Sequence, residues 1–448
     1  MTAAPLPPAA GAPTIGVDFG TTNTVISLTR GDDHAHLVRF SIDNRDLFAF
    51  RSALSFHAIQ GAPGQAQERV VEAGPWAIEA YLEEPLETRF IQSFKTFAAS
   101  AAFTETRILD KRYLFEDLLA AFLLRLRDHA GEQLSALPPR VVVGRPVTFA
   151  GSSPNEALAL ARYEEAFKRL GFSDIRYAYE PVGAAFFFAR QLKQDATVLV
   201  ADFGGGTSDF SLVRFERAAD GTLRSTPLSR SGVGVAGDAF DYRIIDQLVS
   251  PELGKGSDYR SFSNSLPIPQ RYYAAFARWD QLALLRASKD MRDIRALERT
   301  AVEPEKIAAL IEVLDGNHGY ALYKSVSALK EALSSQTEAT FRFEAGSVEI
   351  EKHVARSEFE GWIAPELAAI ETAVGEALDR ASLTEAGVDR VFLTGGSSFV
   401  PAVRDIFLRR FGAEKIESGG EFESIASGLA LIGRESDLDL WTLRAPQA

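Results

Sequence analysis

The 448-residue chain contains no cysteine, which excludes disulfides and thiolate metal sites outright. Histidine is scarce. Of the six, at positions 34, 36, 57, 129, 318 and 353, only His34 and His36 stand close together. Flanked by Gly31-Asp32-Asp33, that pair suits a solvated hairpin end better than a ligand set. No apolar run approaches the roughly 20 residues a membrane span needs. Positive charge is in deficit: a net charge of −13 leaves no cationic face for counterion release and argues against nucleic acid as a partner. The opening residues 1–13 lack the basic and apolar regions of a signal peptide and predict a disordered tail, with a cytoplasmic location as the default.

What is present is an ordinary globular composition, 46% hydrophobic and 24% charged, over a length that predicts roughly two to four domains. The most informative stretch is Thr197 to Phe215. Val198-Leu199-Val200-Ala201 has the apolar, β-branched character of a buried strand. Asp202-Phe203-Gly204-Gly205-Gly206-Thr207-Ser208-Asp209 makes a turn, and Phe210-Ser211-Leu212-Val213 leaves in apolar–polar alternation. Three successive glycines remove every Cβ from the bend, so backbone N–H groups can approach an anion closely, and Thr207 adds a hydroxyl. Asp202 and Asp209 would repel a bare phosphate. Their presence beside a phosphate loop implies a metal ion, and hard oxygen ligands suit Mg²⁺.

The scheme occurs twice. Ile15-Gly16-Val17-Asp18-Phe19-Gly20-Thr21-Thr22-Asn23-Thr24-Val25-Ile26-Ser27-Leu28 again runs strand, Asp-Phe-Gly, hydroxyl-bearing turn, strand. Two such hairpins predict two similar lobes, each lending one phosphate-gripping turn to a shared cleft.

Between them, strands are expected at residues 37–40 and 52–57, a loop at 61–67 and a short helix or helical turn over 89–99. That segment carries Lys95 among apolar neighbours, ordinarily the setting of a snorkelling surface lysine. An amphipathic helix is predicted from about Tyr113 to Leu134. A buried strand follows at Arg140 to Phe149, a helix at 155–170, and a strand from Ile175 to Tyr179 that runs into Glu180-Pro181-Val182-Gly183-Ala184-Ala185. Such alternation predicts an α/β architecture with partly parallel sheets. Further on, Gly232 to Asp241 is a second glycine-rich turn leading into a helix that extends to Val249. Residues 250–270 have loop composition, and about 270–335 are mostly helical. Val391 to Ser398 is strand followed by glycine turn, with a helix from Val400 whose N-terminus suits a polar or anionic ligand.

In family order, these motifs resemble the actin-like ATPase superfamily, and within it the nucleotide-binding half of the seventy-kilodalton heat-shock (DnaK-like) chaperones. The two phosphate motifs are Val17 to Asn23 and Asp202 to Asp209. The connecting motif is Glu180 to Ala185, the Gly-Gly-x-x-Phe-Asp turn is Ala236 to Asp241, and the adenosine motif is Gly395 to Pro401. The resemblance implies two lobes of duplicated ribonuclease-H-like α/β domains around a nucleotide cleft. Residues 14–194 would form lobe I (outer subdomain about 39–111), 195–435 lobe II (outer subdomain about 238–345), and 436–448 a linker-like tail.

Carried over by position, the resemblance makes Asp18 and Asp202 the holders of Mg²⁺, largely through its waters. Gly20, Thr21, Thr22, Asn23 and the backbone of Gly204, Gly205, Gly206 and Thr207 would grip the phosphates. Lys95 aligns with the family's catalytic lysine, which positions the attacking water, and Glu180 and Asp209 complete that set with Thr207. Gly237, Lys330, Ser334, Gly395, Gly396, Ser397 and Phe399 fall on the adenosine side. Pro146 matches a family proline that couples nucleotide state to domain arrangement.

The cofactors implied are ATP/ADP and Mg²⁺, and the implied protein is a slowly hydrolysing, chaperone-like monomer with an unassigned client. The sequence departs from the pattern at Ser327, where the family has an adenosine-contacting glutamate, and at Phe399, where it has an arginine. It also stops short of a peptide-binding domain, which resembles the short YegD-like group. Ser436 to Leu443 resembles the interdomain linker. Docking on lobe II by strand addition is one expectation and a frayed end the other. Small-molecule kinases or phosphatases, filament-forming members and non-hydrolysing scaffolds of the superfamily are the alternatives.

Overall fold

The computed structural model describes residues 12–446 apart from 31–33, 43–44, 60–67, 85–86, 152, 190–191, 193, 218–222, 278–281, 283–284, 287, 418–419 and 421–422. The expected N-terminal tail, up to residue 11, and the loop at 61–67 lie outside the described residues. The chain forms two compact units. The first comprises Met1–Gly234, Ile370–Ser398 and Ile406–Ala448, and the second Val235–Ala369 with Phe399–Asp405.

The first unit is built on two sheets of the same design. One runs Asp174–Tyr179, Arg140–Arg145, Ile15–Phe19, Asn23–Thr29, Ala35–Leu37. The other runs Ile416–Glu417, Arg390–Thr394, Ala196–Phe203, Ser208–Arg217, Leu223–Val233. In each, an antiparallel hairpin opens the sheet, a third strand extends it antiparallel, and two later strands add in parallel on the other side of the first. The sheet centres are apolar because both faces are covered: all eight residues of Ala196–Phe203 and all six of Arg140–Arg145 are buried.

Two helices, Glu180–Ala189 and Ser424–Ile432, are packed together. The first covers Ala196–Phe203 and Ser208–Arg217, and the second covers Ile15–Phe19, Asn23–Thr29 and Arg140–Arg145. Small residues permit the contact. A Cβ on Gly428 would sit 1.8 Å from the Gly183 carbonyl oxygen, and one on Gly16 would sit 2.2 Å from that of Ala426.

The amphipathic helix predicted over 113–134 is Phe115–Ala130, closed by a 3₁₀ turn at Gly131–Leu134. In the segment 89–99 the expected helical turn is present but short, and a strand precedes it. Arg89–Gln92 is a strand whose alternate residues are buried against Ala53–Ile59. Ser93 then takes a left-handed conformation (φ 54°) and starts a single 3₁₀ turn, Phe94–Phe97. The two-residue alternation of Arg89 to Gln92 is the signal that a helical reading overrides.

The second unit is largely helical over Arg271–Ala274, Lys289–Leu297, Pro304–Asp315 and Gly319–Ser335, with two hairpins, Asp258–Ser261/Asn264–Pro267 and Glu338–Ala345/Val348–Ala355. The turn before it opens into helix Gly237–Ile244, which continues as a π-helical turn, Ile245–Val249.

The C-terminal segment is docked on the first sheet. Leu438–Trp441 forms one helical turn. Leu443 and Tyr177 then exchange two backbone hydrogen bonds (2.9 and 2.7 Å), adding an antiparallel bridge to the free edge of Asp174–Tyr179. Trp441 sits edge-on to Phe186 at 4.8 Å, and Leu438 is buried. Arg176 pairs with Asp439 and, at 2.9 Å, with buried Asp174, which also accepts from Arg140 at 2.7 Å. The strand addition expected on lobe II occurs instead on the strand that precedes Glu180, where a row of edge N–H and C=O groups needs partners. Deleting residues 437–448 is expected to lower stability by about 2–3 kcal/mol, from lost burial of Leu438 and Trp441. Urea unfolding of the truncated chain checks this, and an unchanged midpoint would mean the segment is only laid against the surface.

Candidate functional site

Each Asp-Phe-Gly hairpin closes with the same four-residue turn. The Gly20 N–H donates to the Asn23 carbonyl at 3.0 Å, and the Gly204 N–H to that of Thr207 at 2.9 Å. Asp18 lies opposite Val25, while Asp202 lies opposite Asp209. Buried Phe19 and Phe203 anchor each turn from below. A Cβ on Gly206 would meet nothing within 4 Å. The protein's own packing therefore does not demand glycine there, and the bare backbone leaves room for a ligand.

Ser52, which has no motif around it, pins the first turn. Its Oγ donates to the Gly20 carbonyl at 2.7 Å and contacts Thr24 Oγ1 at 2.9 Å, while its N–H donates to the Thr22 carbonyl at 2.9 Å. The second turn is pinned by Asp209. Its Oδ1 accepts from the backbone N–H groups of Val147 and Thr148 (3.2 and 3.3 Å), and its Oδ2 accepts from Thr207 Oγ1 at 3.0 Å. These bonds tie the turn after Pro146 to the second hairpin. Gly395 is fitted directly against that hairpin: at φ 82°, its Cβ would lie 2.1 Å from the Phe203 carbonyl. Neighbouring Ser397 is buried, and Ser398 Oγ donates to the Gly395 carbonyl at 2.6 Å.

Lys95 is no snorkelling lysine. The 3₁₀ turn carries it inward until it is 9% exposed, and its Nζ donates to Glu180 Oε1 at 2.7 Å. It also stands 6.0 Å from the centre of the Phe19 ring. Glu180, itself buried, is the first residue of helix Glu180–Ala189. Burial pulls the ammonium's pKa down, but the charges of Glu180 and Asp18 and the bond to Glu180 more than offset it and hold it above the ordinary lysine range.

The carboxylates are in the opposite position. Burial and the charge of Glu180 push Asp18 up to about 7 against the pull of Lys95. Burial and Glu180 raise Asp209 to about 7 even though Thr207 and Thr148 bond to it. Asp202 is raised well above the usual range by burial, then by Glu180, Asp18 and Asp209. One ammonium among four carboxylates is a site short of positive charge. Among the described residues, no three His, Cys, Asp or Glu side chains are grouped to hold a metal directly.

Gly237, Lys330, Ser334 and Phe399 fall in the second unit, where the first three form a cluster. Lys330 pairs with Asp241 at 2.7 Å and approaches the Gly237 carbonyl at 3.4 Å, and Ser334 Oγ donates to the Lys330 carbonyl at 2.9 Å. Phe399 is 47% exposed.

Comparison with known proteins decides the family. A family model described as Hsp70 protein matches residues 87–262 and 314–435, more than half of the chain. The chain belongs to the Hsp70 family. Its fold is accordingly the actin-like ATPase fold, and the repeated sheet order of the first unit is the internal duplication of that fold. Similar Hsp70 relatives include proteins named chaperone protein DnaK from Mycoplasmopsis synoviae (26% identical over 421 residues), Deinococcus proteolyticus (26% over 430) and Thermus thermophilus (25% over 430). Each alignment covers 94% of this chain and 58, 59 and 60% of the relative respectively, so the chain spans about three fifths of their length. No helix among the described residues is long and apolar enough to cross a membrane.

Proposed function

We propose that the chain binds Mg-ATP at the two hairpins and hydrolyses it slowly to ADP and phosphate, as a chaperone-type nucleotide-binding module whose arrangement changes with the nucleotide. One observation carries this reading: the same turn geometry recurs at Gly20–Asn23 and Gly204–Thr207 in a site holding a single ammonium and four carboxylates. In this reading residues 14–194 and 195–435 act as the two lobes, and the protein is a cytoplasmic monomer.

The donor set fits Mg²⁺. Asp18 and Asp202 are oxygen ligands too few for an all-protein cage, which suits an ion that keeps several of its waters. When bound, the ion would supply the missing positive charge and neutralise phosphate oxygens. The N–H groups of Gly205 and Gly206 and the hydroxyls of Thr21 and Thr22 donate to the phosphates, while the Gly204 N–H and the Thr207 hydroxyl hold the second turn closed. Lys95, oriented by Glu180, faces charge developing on the γ-phosphoryl group. Glu180 and Asp209 accept hydrogen bonds from the attacking water. Its oxygen bonds to phosphorus as the bridging P–O bond to ADP breaks, and its proton leaves with the phosphate product. Within the first unit, the backbone of Gly395 and Gly396 and the Ser397 hydroxyl take the adenosine.

Calorimetry with Mg-ATP and single-turnover hydrolysis test the reading. The wild-type chain is expected to bind and turn over. Asp202→Asn, which keeps shape but halves the cation-holding charge, is expected to lose most of its Mg²⁺-dependent binding. Absence of binding by the wild type would overturn the reading. Binding with no turnover would leave a nucleotide-sensing scaffold, and phosphoryl transfer to an added sugar would point to the kinase branch.

A further inference from the structure

Helix Glu156–Arg169 carries Tyr163 into the core beneath the first hairpin, where it has no exposed surface. Three aromatic rings box it in. Phe19 meets it edge-on at 5.9 Å, Phe149 edge-on at 6.2 Å, and Phe115 is stacked at 6.1 Å. An all-aromatic box is the natural setting for phenylalanine. A tyrosine there carries a hydroxyl that must find a partner or be left unsatisfied, at a cost of about 1–3 kcal/mol. Among the described residues, the Tyr163 hydroxyl has no hydrogen-bond partner.

Its electrical neighbours are those of the candidate site. Lys95, Glu180, Arg145 and Asp18 all act on the hydroxyl, and burial together with Glu180 and Asp18 keeps it protonated, well above the ordinary tyrosine range. Phe19 touches both sides, with Lys95 Nζ at 6.0 Å from its ring and the Tyr163 ring at 5.9 Å. Lys95 has spent one of its three hydrogens on Glu180. An internal water needs two to four polar partners: the orphaned hydroxyl is one, and the Lys95–Glu180 pair, packed against the same Phe19 ring, can supply the others.

We propose that Tyr163 is a positioning residue of the hydrolytic site: its hydroxyl holds one ordered water against the Lys95–Glu180 pair and through it fixes the direction of the lysine. This deepens the proposed ATPase reading and rests on it for its kinetic consequence, but not for the water itself. The same site built with phenylalanine would be at least as stable and would leave the ammonium free to swing.

Tyr163→Phe removes the hydroxyl alone. The expected result is a nucleotide-free melting temperature equal to or above the wild type's, Mg-ATP affinity within about twofold, and single-turnover hydrolysis slower by about tenfold, the worth of one hydrogen bond. Combined with Lys95→Ala, it should add no further loss, since it acts through that lysine. Unchanged turnover in Tyr163→Phe, or a clear fall in melting temperature, would overturn the proposal. A crystal structure of the nucleotide-free protein gives the second arm. It should show a water within about 3 Å of the Tyr163 hydroxyl and of Lys95 or Glu180. An empty space there sinks the proposal whether or not ATP is hydrolysed, whereas a water present in a protein that neither binds nor hydrolyses ATP would sink the ATPase reading alone.

Discussion

Lys95→Ala should lower single-turnover ATP hydrolysis by about 10²–10³-fold while Mg-ATP still binds, because a preorganised charge facing the transferring group is worth that much in rate. The same substitution should be costly for the fold. Lys95 and Glu180 are both buried and joined at 2.7 Å, and stripping one partner from a buried pair typically costs about 3–5 kcal/mol. Rate and stability are separable in a double variant. Lys95→Met with Glu180→Gln replaces the ion pair by neutral side chains of similar length. Stability should recover most of what Lys95→Ala loses, since a buried pair is often no better than a neutral replacement. Turnover should stay lost. Wild-type turnover in Lys95→Ala would remove the lysine from the mechanism.

Gly428→Ala should be the most damaging single methyl group that can be added to the chain's core. The new Cβ would fall 1.8 Å from the Gly183 carbonyl oxygen and 2.6 Å from its carbon. Both obstacles are backbone of a helix whose first residue is Glu180, so no side chain can turn aside. Relief requires the two helices to move apart, which would unseat Ser424–Ile432 from the first sheet. A loss of about 4 kcal/mol or more, or failure to accumulate folded protein, is the expected outcome in urea unfolding. Gly375→Ala is the control. It lies within helix Ala364–Arg380, and only Arg410 Nη1, at 3.9 Å, comes near its Cβ. It should be neutral or add up to about 1 kcal/mol. A tolerated Gly428→Ala would show that the helix pair is looser than the close approach implies.

Both hairpins were legible because their chemistry is local: the Asp-Phe-Gly, the hydroxyls and the flanking strands sit within a dozen residues. The alternation of strands and helices gave the α/β class, and amphipathic spacing gave the helix Phe115–Ala130. Lys95 was different. Its neighbours alone suggested a surface lysine, and only the motif order around it suggested a role, because its partner Glu180 is 85 residues away. Ser52 and Tyr163 were not legible at all. Each meets the site across a packed core, and nothing periodic marks a serine in a strand region or a tyrosine on the inner face of a helix. The C-terminal segment was half legible: its alternating acid and apolar residues suited an added strand, but which sheet edge stood open is a property of the whole fold.

The close approach of Ser424–Ile432 to the first strand has a consequence for how the chain is made. Thr14 Oγ1 donates to the Ala430 carbonyl, a contact between residues 416 positions apart. The first sheet therefore emerges from the ribosome long before the helix that covers it. At about 5–20 residues per second, Ala430 follows Thr14 by on the order of 20–80 s and Arg145 by on the order of 15–60 s. During that time the apolar face of Ile15–Phe19, Asn23–Thr29 and Arg140–Arg145 has no cover, and closing so long a loop is slow in its own right. The second unit has no such delay, since nearly all of it is one continuous stretch, Val235–Ala369. Synthesis should thus leave a finished middle flanked by an unfinished beginning, and the part that carries the phosphate hairpins is the last to be sealed.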